Sequence, residues 1–96
     1  MKQNELNRLF ETIVRRSKSS DSKSYTKQLL KKGPKIIAQK IGEENAELII
    51  DYLKGSKKRT IEEAVDLIYH LFVLLHSKKI TYNDIEKEII KRKNVR

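Results

Sequence analysis

The sequence predicts an all-α fold, a helical bundle of about five helices in a single domain over residues 1–96. The chain has only one proline and three glycines. Its apolar residues recur at helical spacing instead of alternating as they do in strands. A chain of this length also has a small hydrophobic core. We therefore expect a homodimer, in which a second copy completes the bundle.

The first two helices are predicted from an apolar stripe and a capping residue. The first helix runs from Asn4 to Ser17, and its apolar residues share one face: Leu6, Leu9, Phe10, Ile13 and Val14. Polar residues then predict a mobile loop near 18–24. Ser24 is a favourable N-cap for a short helix that extends through Lys32 and ends at Gly33.

The other three helices are also delimited by recognisable start and stop residues. Pro34 is tolerated in a first helical turn, so it opens a long helix that continues to about Lys54 and is closed by Gly55. The segment Ser56–Arg59 is expected to be a tight turn. Thr60 then caps a fourth helix that ends at about Lys78, and Thr81 caps a fifth.

Charge is distributed unevenly along the chain, whose net charge is +9. Residues 1–35 hold ten Lys and Arg against three acids, residues 36–77 hold five against seven, and residues 78–96 hold seven against three. The last of these segments ends in a frayed basic tail near 92–96. Nucleic-acid binding is not expected, because it favours a continuous basic face. Basic flanks around an acidic centre favour an anionic small substrate that is bound through metal ions.

Composition excludes several kinds of site. The chain has no cysteine, which excludes disulfides, thiolate zinc sites and a cysteine nucleophile. The N-terminal residues are polar with no apolar segment after them, and no apolar run approaches the roughly 18 residues of a membrane span. We therefore expect a cytoplasmic protein with no membrane association.

Acidic residues of the third and fourth helices are expected to converge. On the third helix, Lys40, Glu44, Glu47 and Asp51 lie in one narrow stripe, and on the fourth helix Glu63, Asp66 and His70 lie in another. If the hairpin folds about residue 57, Glu47 is level with Leu67 and Glu44 is level with His70. Four carboxylates, those of Glu44, Glu47, Glu63 and Asp66, then lie within about two helical turns of one another.

Four converging carboxylates in a partly buried seam require a cation, because they otherwise repel one another strongly. Ligands that are all oxygen favour a hard ion, so we expect Mg²⁺, with Mn²⁺ as a second possibility. Such an ion shares its coordination shell with substrate phosphates. Glu43 lies at the edge of the stripe, where it is placed to accept a proton from water or to face solvent.

These residues occur in a pattern that resembles a known family. The matching segments are Ser24-Tyr25-Thr26, Leu29-Leu30, Gly33, Lys35-Ile36, Gln39-Lys40-Ile41-Gly42-Glu43-Glu44 with Glu47, and Glu63-Ala64 followed by Asp66-Leu67, Tyr69-His70 and Val73-Leu74-Leu75. Together they are similar to phosphoribosyl-ATP pyrophosphatase of histidine biosynthesis, over about residues 9–91. The carboxylate pattern is shared with the wider all-α nucleoside triphosphate pyrophosphatase (MazG-like) superfamily, and the Ser-Tyr-Thr and Tyr-His segments narrow the match.

The resemblance implies metal-dependent hydrolysis of phosphoribosyl-ATP to phosphoribosyl-AMP and pyrophosphate by a dimer. It implies that Glu44, Glu47, Glu63 and Asp66 bind the metal, and that Glu43 and Glu47 are catalytic. It also implies that Lys40 meets a phosphate and that the substrate is bordered by Ser24, Tyr25, Thr26 and His70. Because the cyclohydrolase to which this domain is often fused uses a cysteine-bound zinc, we expect this chain to carry only the pyrophosphatase step.

Each of these residues also has an ordinary structural interpretation. Glu63 stands three residues after Thr60, the spacing of a capping box. Lys40 and Glu44 are four residues apart, as in a surface ion pair worth a few tenths of a kcal/mol. His70, in an apolar helix, is compatible with a hydrogen-bonded core histidine.

Two other functions are consistent with the same residues. One is a house-cleaning pyrophosphatase that hydrolyses noncanonical nucleoside triphosphates with the same metal chemistry. The other is a basic helical module that binds nucleic acid or a partner helix without catalysis. A substrate panel separates the first from the histidine-pathway enzyme, and metal titration separates the second.

Overall fold

The structure, a computed structural model, describes residues 4–93. Five α-helices and no strands are present in this part of the chain, which confirms the predicted all-α class. The helices are α1 (Glu5–Ser17), α2 (Tyr25–Lys32), α3 (Pro34–Lys54), α4 (Lys57–Ser77) and α5 (Tyr82–Arg92). Between residues 4 and 93, no helix has both the length and the apolar character needed to cross a bilayer.

The predicted boundaries of α2 and α3 are confirmed. The Ser24 side chain accepts a hydrogen bond from the backbone N–H of Lys27 and caps α2. Gly33 lies between the two helices with φ of 95°, a left-handed conformation that glycine adopts without steric cost. Pro34 begins α3, and at the other end of that helix the N–H of Gly55 donates to the carbonyl of Asp51 at 2.8 Å.

The predicted start of α4 at Thr60 is wrong. The N-cap is Ser56, whose side chain accepts a hydrogen bond from the N–H of Arg59 at 3.1 Å. Both residues have capping side chains, but Ser56 adopts the extended conformation of an N-cap one turn earlier. The Thr60 hydroxyl instead donates to carbonyl oxygens of Ser56 (2.9 Å) and Asp51 (3.1 Å). Only residues 55 and 56 therefore link α3 to α4.

The core is formed where α1, α2 and the α3–α4 hairpin meet. Its buried apolar residues are Phe10, Ile13, Leu29, Ile37, Phe72 and Val73. The rings of Phe10 and Phe72 pack with centroids 5.0 Å apart. This contact joins α1 to the second half of α4, while the first half of α4 packs along α3 and carries the acidic residues.

Helix α5 is capped by Thr81, as predicted, and packs mainly through its first turn. Thr81 and Asp84 form a capping box, in which each side chain accepts a hydrogen bond from the other residue's N–H. Tyr82 contacts Phe10 and Phe72, whereas Ile89 and Ile90 are exposed. The mobility predicted near residues 18–24 remains a prediction, and the predicted basic tail lies outside the described residues from 94 onwards.

Candidate active site

Three carboxylates from α3 and α4 come together in the structure. One carboxylate oxygen of each of Glu44, Glu63 and Asp66 lies within 4.8 Å of the other two. Glu44 and Glu63 are buried, with 8% and 6% of their surface exposed, while Asp66 is exposed. We call these three residues the acidic cluster.

The short link between α3 and α4 determines which acids meet. Because the turn is centred between residues 55 and 56 instead of at residue 57, Glu44 is level with Leu67 and not with His70. This shift corrects the expected register by about one turn and brings Glu44 beside the stripe that carries Glu63 and Asp66. Three of the four carboxylates expected to converge therefore do so in the described residues, those of Glu44, Glu63 and Asp66, while Glu47 is not among them.

Two basic side chains partly neutralise the negative charge of the acidic cluster. Lys40 Nζ lies 3.9 Å from Glu44 Oε1, and Arg59 Nη2 lies 3.2 Å from Glu63 Oε1 and 3.7 Å from Asp51 Oδ2. In each glutamate the second oxygen, Oε2, is buried and has no hydrogen-bond partner among the described residues. A buried carboxylate oxygen without a partner is costly. These two oxygens therefore fit a cation at the cluster.

The donor set identifies the kind of cation that fits. All three groups are carboxylates, the ligands that hard ions such as Mg²⁺ and Mn²⁺ prefer. Oxygens bound to one Mg²⁺ are separated by about 3 to 4.2 Å, and the three oxygens of the cluster lie within 4.8 Å of one another. The acidic cluster therefore has the chemistry and approximately the dimensions of a divalent metal site.

Glu47 is exposed and lies beside the acidic cluster. Burial, reinforced by the neighbouring carboxyl of Glu47, raises the pKa of Glu63, and the guanidinium of Arg59 opposes this effect. Glu47 thus interacts with Glu63 but does not belong to the three-residue cluster. Glu43 is exposed and forms no hydrogen bond or ion pair with residues 4–93.

An aromatic network connects α2 to the acidic cluster. The hydroxyl of Tyr25 lies 2.8 Å from Nε2 of His70, and Nδ1 of His70 lies 2.8 Å from the backbone carbonyl of Asp66. Partial burial raises the pKa of Tyr25, against the effect of nearby Lys40. Tyr25 is 48% exposed. It is therefore the member of this network that is most accessible from solvent.

The neighbours of Tyr25 have structural contacts of their own. Thr26 is buried, and its hydroxyl is hydrogen-bonded to that of Tyr69. Ser24 uses its hydroxyl to cap α2. His70 is 6% exposed and has hydrogen bonds at both ring nitrogens. These contacts agree with the structural interpretation of His70 as a hydrogen-bonded core histidine. The structure thus places the Ser-Tyr-Thr segment near the acidic cluster, with Tyr25 the most exposed of the three.

The structural alternatives for Glu63 and Lys40 can be compared with these contacts. The prediction of a capping box between Thr60 and Glu63 is wrong, because Ser56 caps α4 and Glu63 is paired with Arg59. The pair between Lys40 and Glu44 exists, but the carboxylate is largely buried, so it is not an ordinary surface pair. Arg59 was missed by the sequence argument, although its position four residues before Glu63 is the spacing of a helical ion pair.

A concave surface adjoins the acidic cluster. It has a volume of about 500 Å³ and is lined by Glu63 and Asp66 together with Arg59, Ile61, Glu62 and Val65. This volume is within the usual range of about 300–1,000 Å³ for small-molecule sites. Asp66, the exposed acid of the cluster, is therefore the one that opens onto this surface.

Comparison with known proteins identifies the family. Residues 6–93 match the family model described as "Phosphoribosyl-ATP pyrophosphohydrolase". The chain is 42% identical over 92 residues to a phosphoribosyl-ATP pyrophosphatase of Sulfolobus acidocaldarius, covering 96% of this chain and 97% of that protein. The chain belongs to this family. The resemblance drawn from the motifs is thereby confirmed.

Other relatives in the phosphoribosyl-ATP pyrophosphohydrolase family differ in length. A phosphoribosyl-ATP pyrophosphatase of Paracoccus denitrificans is 44% identical over 87 residues, which cover 91% of this chain and 81% of that protein. A histidine biosynthesis bifunctional protein HisIE of Staphylococcus aureus is 41% identical over 88 residues. That match covers 92% of this chain but 42% of the bifunctional protein. The chain thus corresponds to one part of the bifunctional relative.

Proposed function

We propose that this protein hydrolyses phosphoribosyl-ATP to phosphoribosyl-AMP and pyrophosphate, the second step of histidine biosynthesis. The observation that carries the proposal is the convergence of Glu44, Glu63 and Asp66 in a chain of this family. An acidic cluster that binds a divalent ion is suited to a polyphosphate substrate, because the ion bridges the carboxylates and the phosphates. The relatives' names support the choice of substrate.

The carboxylates of Glu44, Glu47, Glu63 and Asp66 would hold Mg²⁺ or Mn²⁺. When bound, a divalent ion neutralises phosphate charge and increases the acidity of water. The unpartnered Oε2 atoms of Glu44 and Glu63 support this assignment. Asp66, which is exposed on α4, would be a further ligand of the same ion.

Other residues of the chain would orient the substrate and move the proton. Water attacks phosphorus, the bond between the first two phosphates of the chain breaks, and pyrophosphate leaves. Glu47, exposed beside Glu63, is placed to accept the proton of the attacking water, and exposed Glu43 is the second candidate for this role. Lys40 is within reach of a phosphate, since its Nζ already lies 3.9 Å from Glu44.

The residues of α2 would form the border of the substrate site. Tyr25 presents half of its surface to solvent and is fixed by His70, so it is suited to contact the substrate directly. Ser24 and Thr26 would act next to it, Ser24 by holding the start of α2 and Thr26 through Tyr69. His70 would position Tyr25 relative to Asp66.

The proposed enzyme works as a cytoplasmic homodimer. Apolar residues remain exposed near the α3–α4 link, where a second copy would cover them: Ile49, Ile50, Tyr52, Leu53, Ile61 and Val65. A single chain with so many exposed apolar side chains on one end of a hairpin has the character of an interface.

The test is pyrophosphate release from a panel of substrates, with and without Mg²⁺. We expect release from phosphoribosyl-ATP to be at least about 100-fold faster, in kcat/KM, than release from ATP or dUTP, a difference of about 2.8 kcal/mol. Chelation of the metal should abolish pyrophosphate release from phosphoribosyl-ATP. Equal rates on free nucleoside triphosphates would instead establish the house-cleaning function.

A further inference from the structure

A second groove lies between α1 and the junction of α4 with α5. Its volume is about 730 Å³, and none of its lining residues belongs to the acidic cluster. His76, which lines it, follows Asp66 by ten residues on α4, about 15 Å along the helix axis. We call this surface the α1–α5 groove. The proposed hydrolysis of phosphoribosyl-ATP does not use it.

The floor of the α1–α5 groove is aromatic and apolar. It is formed by Phe10 and Val14 of α1, Ile80 of the preceding connection and Tyr82 of α5. The rings of Phe10 and Tyr82 have centroids 6.0 Å apart, and Phe10 also packs against Phe72 in the core. Phe10 is only 3% exposed, so it supports Tyr82 from the core side. The partly buried ring of Tyr82 is therefore the aromatic surface that the floor offers a flat ligand.

Three basic side chains line the rim of the α1–α5 groove. Arg15, Lys18 and Lys79 all line it, and none of them forms an ion pair with another described residue. The lining includes one carboxylate, that of Glu11. The groove is therefore net positive. Its charge matches a phosphate monoester, which carries a charge of about −1.5 to −2 at pH 7.

His76 supplies a hydrogen-bond acceptor to the same groove. The Ser17 hydroxyl donates to the carbonyl of Val14 at 2.6 Å, so it accepts from Nε2 of His76 at 3.0 Å. The proton of the neutral ring is therefore on Nε2, and Nδ1 is an acceptor with no hydrogen bond to a described residue. Burial, together with Lys18, lowers the pKa of His76, which keeps the ring neutral.

We propose that the α1–α5 groove binds a nucleoside monophosphate whose base carries an amino group. The base packs on Tyr82, and its amino group donates to Nδ1 of His76. The phosphate lies among Arg15, Lys18 and Lys79. The volume of the groove is sufficient for such a ligand. The base ring, the amino group and the phosphate of this ligand each contact a different part of the groove.

The experiment is a titration of the full chain with AMP, followed by ¹H–¹⁵N NMR in EDTA so that no metal is bound at the acidic cluster. We expect saturable shifts, with Kd below about 1 mM, at the amides of residues 76 and 79–83. Adenosine, which has no phosphate, and ribose 5-phosphate, which has no base, should each bind at least about tenfold more weakly.

Charge-removing variants of equal length test the rim. We expect Lys18→Gln and Lys79→Gln each to weaken AMP binding about tenfold, the loss of one charge-assisted hydrogen bond. Lys23→Gln, a matched exposed lysine outside the groove, should bind as the original chain does. All three should keep the far-ultraviolet circular dichroism spectrum of the original chain.

Three results would overturn the proposal: AMP shifts that map to Glu44–Asp66, equal AMP affinity in Lys18→Gln and Lys79→Gln, or adenosine that binds as tightly as AMP. The proposed catalytic function fails separately, through the absence of pyrophosphate release from phosphoribosyl-ATP. Because the AMP titration contains no metal and no substrate, its result does not depend on that outcome.

Discussion

The hydroxyl of Tyr25 and the imidazole of His70 form a hydrogen bond of 2.8 Å between residues 45 positions apart in the chain. The carbonyl oxygen of Asp66 can only accept, so Nδ1 of His70 carries the ring proton and Nε2 accepts from Tyr25. The imidazole therefore joins α2 to the turn of α4 that carries Asp66. This contact fixes an exposed aromatic residue beside the acidic cluster.

Removing the Tyr25 hydroxyl tests this contact. We expect Tyr25→Phe to lower kcat/KM for pyrophosphate release about tenfold and the free energy of unfolding by about 1 kcal/mol, because His70 loses its donor. Steady-state kinetics and urea denaturation measure the two effects. Tyr82→Phe is the matched control for the kinetics, since the Tyr82 hydroxyl donates to Asn4 Oδ1 at 3.3 Å and lies outside the acidic cluster. Identical kinetics in the two variants would show that the contact has no catalytic role.

Glu63 and Glu86 provide a matched pair for the metal site. We expect Glu63→Gln to reduce Mn²⁺ affinity and pyrophosphate release at least about 100-fold, because one ligand of a divalent site is lost. Glu86→Gln changes an exposed carboxylate on α5, away from the acidic cluster and the concave surface beside it, and should alter either quantity less than about twofold. Isothermal titration with Mn²⁺ measures the affinity. Unchanged Mn²⁺ binding in Glu63→Gln would remove that residue from the metal site.

Arg59 is expected to have the opposite effect on metal binding. Its guanidinium lies 3.2 Å from Glu63 Oε1 and 3.7 Å from Asp51 Oδ2, and the side chain is 59% exposed. We expect Arg59→Ala to tighten Mn²⁺ binding about threefold, because a competing positive charge is removed. The same variant without metal should melt at a slightly lower temperature. Lys58→Ala is the control. If Arg59→Ala alone bound Mn²⁺ more weakly, the guanidinium would not compete with the metal.

The capping box of α5 predicts a pH dependence. Hydrogen bonds from the backbone N–H and then the hydroxyl of Thr81 lower the pKa of Asp84 below its ordinary value of 3.8. The folded state therefore binds this proton less readily than the unfolded state. Its contribution to stability is present above pH 3.8 and is lost as the pH falls through the lower folded value.

Asp84→Asn removes this dependence. Urea denaturation should show the original chain to be more stable than Asp84→Asn at about pH 6, with the difference shrinking at pH values below the ordinary pKa of Asp. In Thr81→Ala, the pKa of Asp84 measured by carboxyl ¹³C NMR should return towards 3.8. A difference in stability that is constant with pH would rule out the charge of Asp84 as its cause.

Ile50 and Ile89 test the proposed dimer surface. They are almost equally exposed, at 59% and 60%, but Ile50 lies near the α3–α4 link and Ile89 lies on α5. We expect Ile50→Glu to give a monomer in analytical ultracentrifugation, because a charge would be buried in the interface. Ile89→Glu should remain a dimer. The reverse pattern would move the interface to α5.

The sequence predicts this fold well where each helix end depends on one local residue. Ser24, Gly33, Pro34 and Thr81 each act within one turn of their own position, so their roles follow from residue type. The predicted start of α4 is wrong because Ser56 and Thr60 are both suitable caps. The choice between them depends on the path of the chain after Gly55, which no local pattern specifies.

Part of the candidate site could also be predicted. The meeting of acids from α3 and α4 follows from helical periodicity alone, and it survives a change of register because Glu63 and Asp66 occupy neighbouring turns of one face. The buried position of Thr26 could not be predicted, because it depends on contact with Tyr69, 43 residues later in the chain. Such long-range contacts are set by tertiary packing.

The two-residue link at Gly55 and Ser56 has a consequence for how this family can vary. A Cβ on Gly55 would lie 2.8 Å from Oδ1 and 2.9 Å from the backbone oxygen of Asp51, so even a methyl group must shift the backbone at the end of α3. One inserted residue, if it extended α4, would rotate the helix by about 100° and carry Glu63 and Asp66 away from Glu44. A single extra residue at this junction would therefore dismantle the cluster without touching any of its three carboxylates.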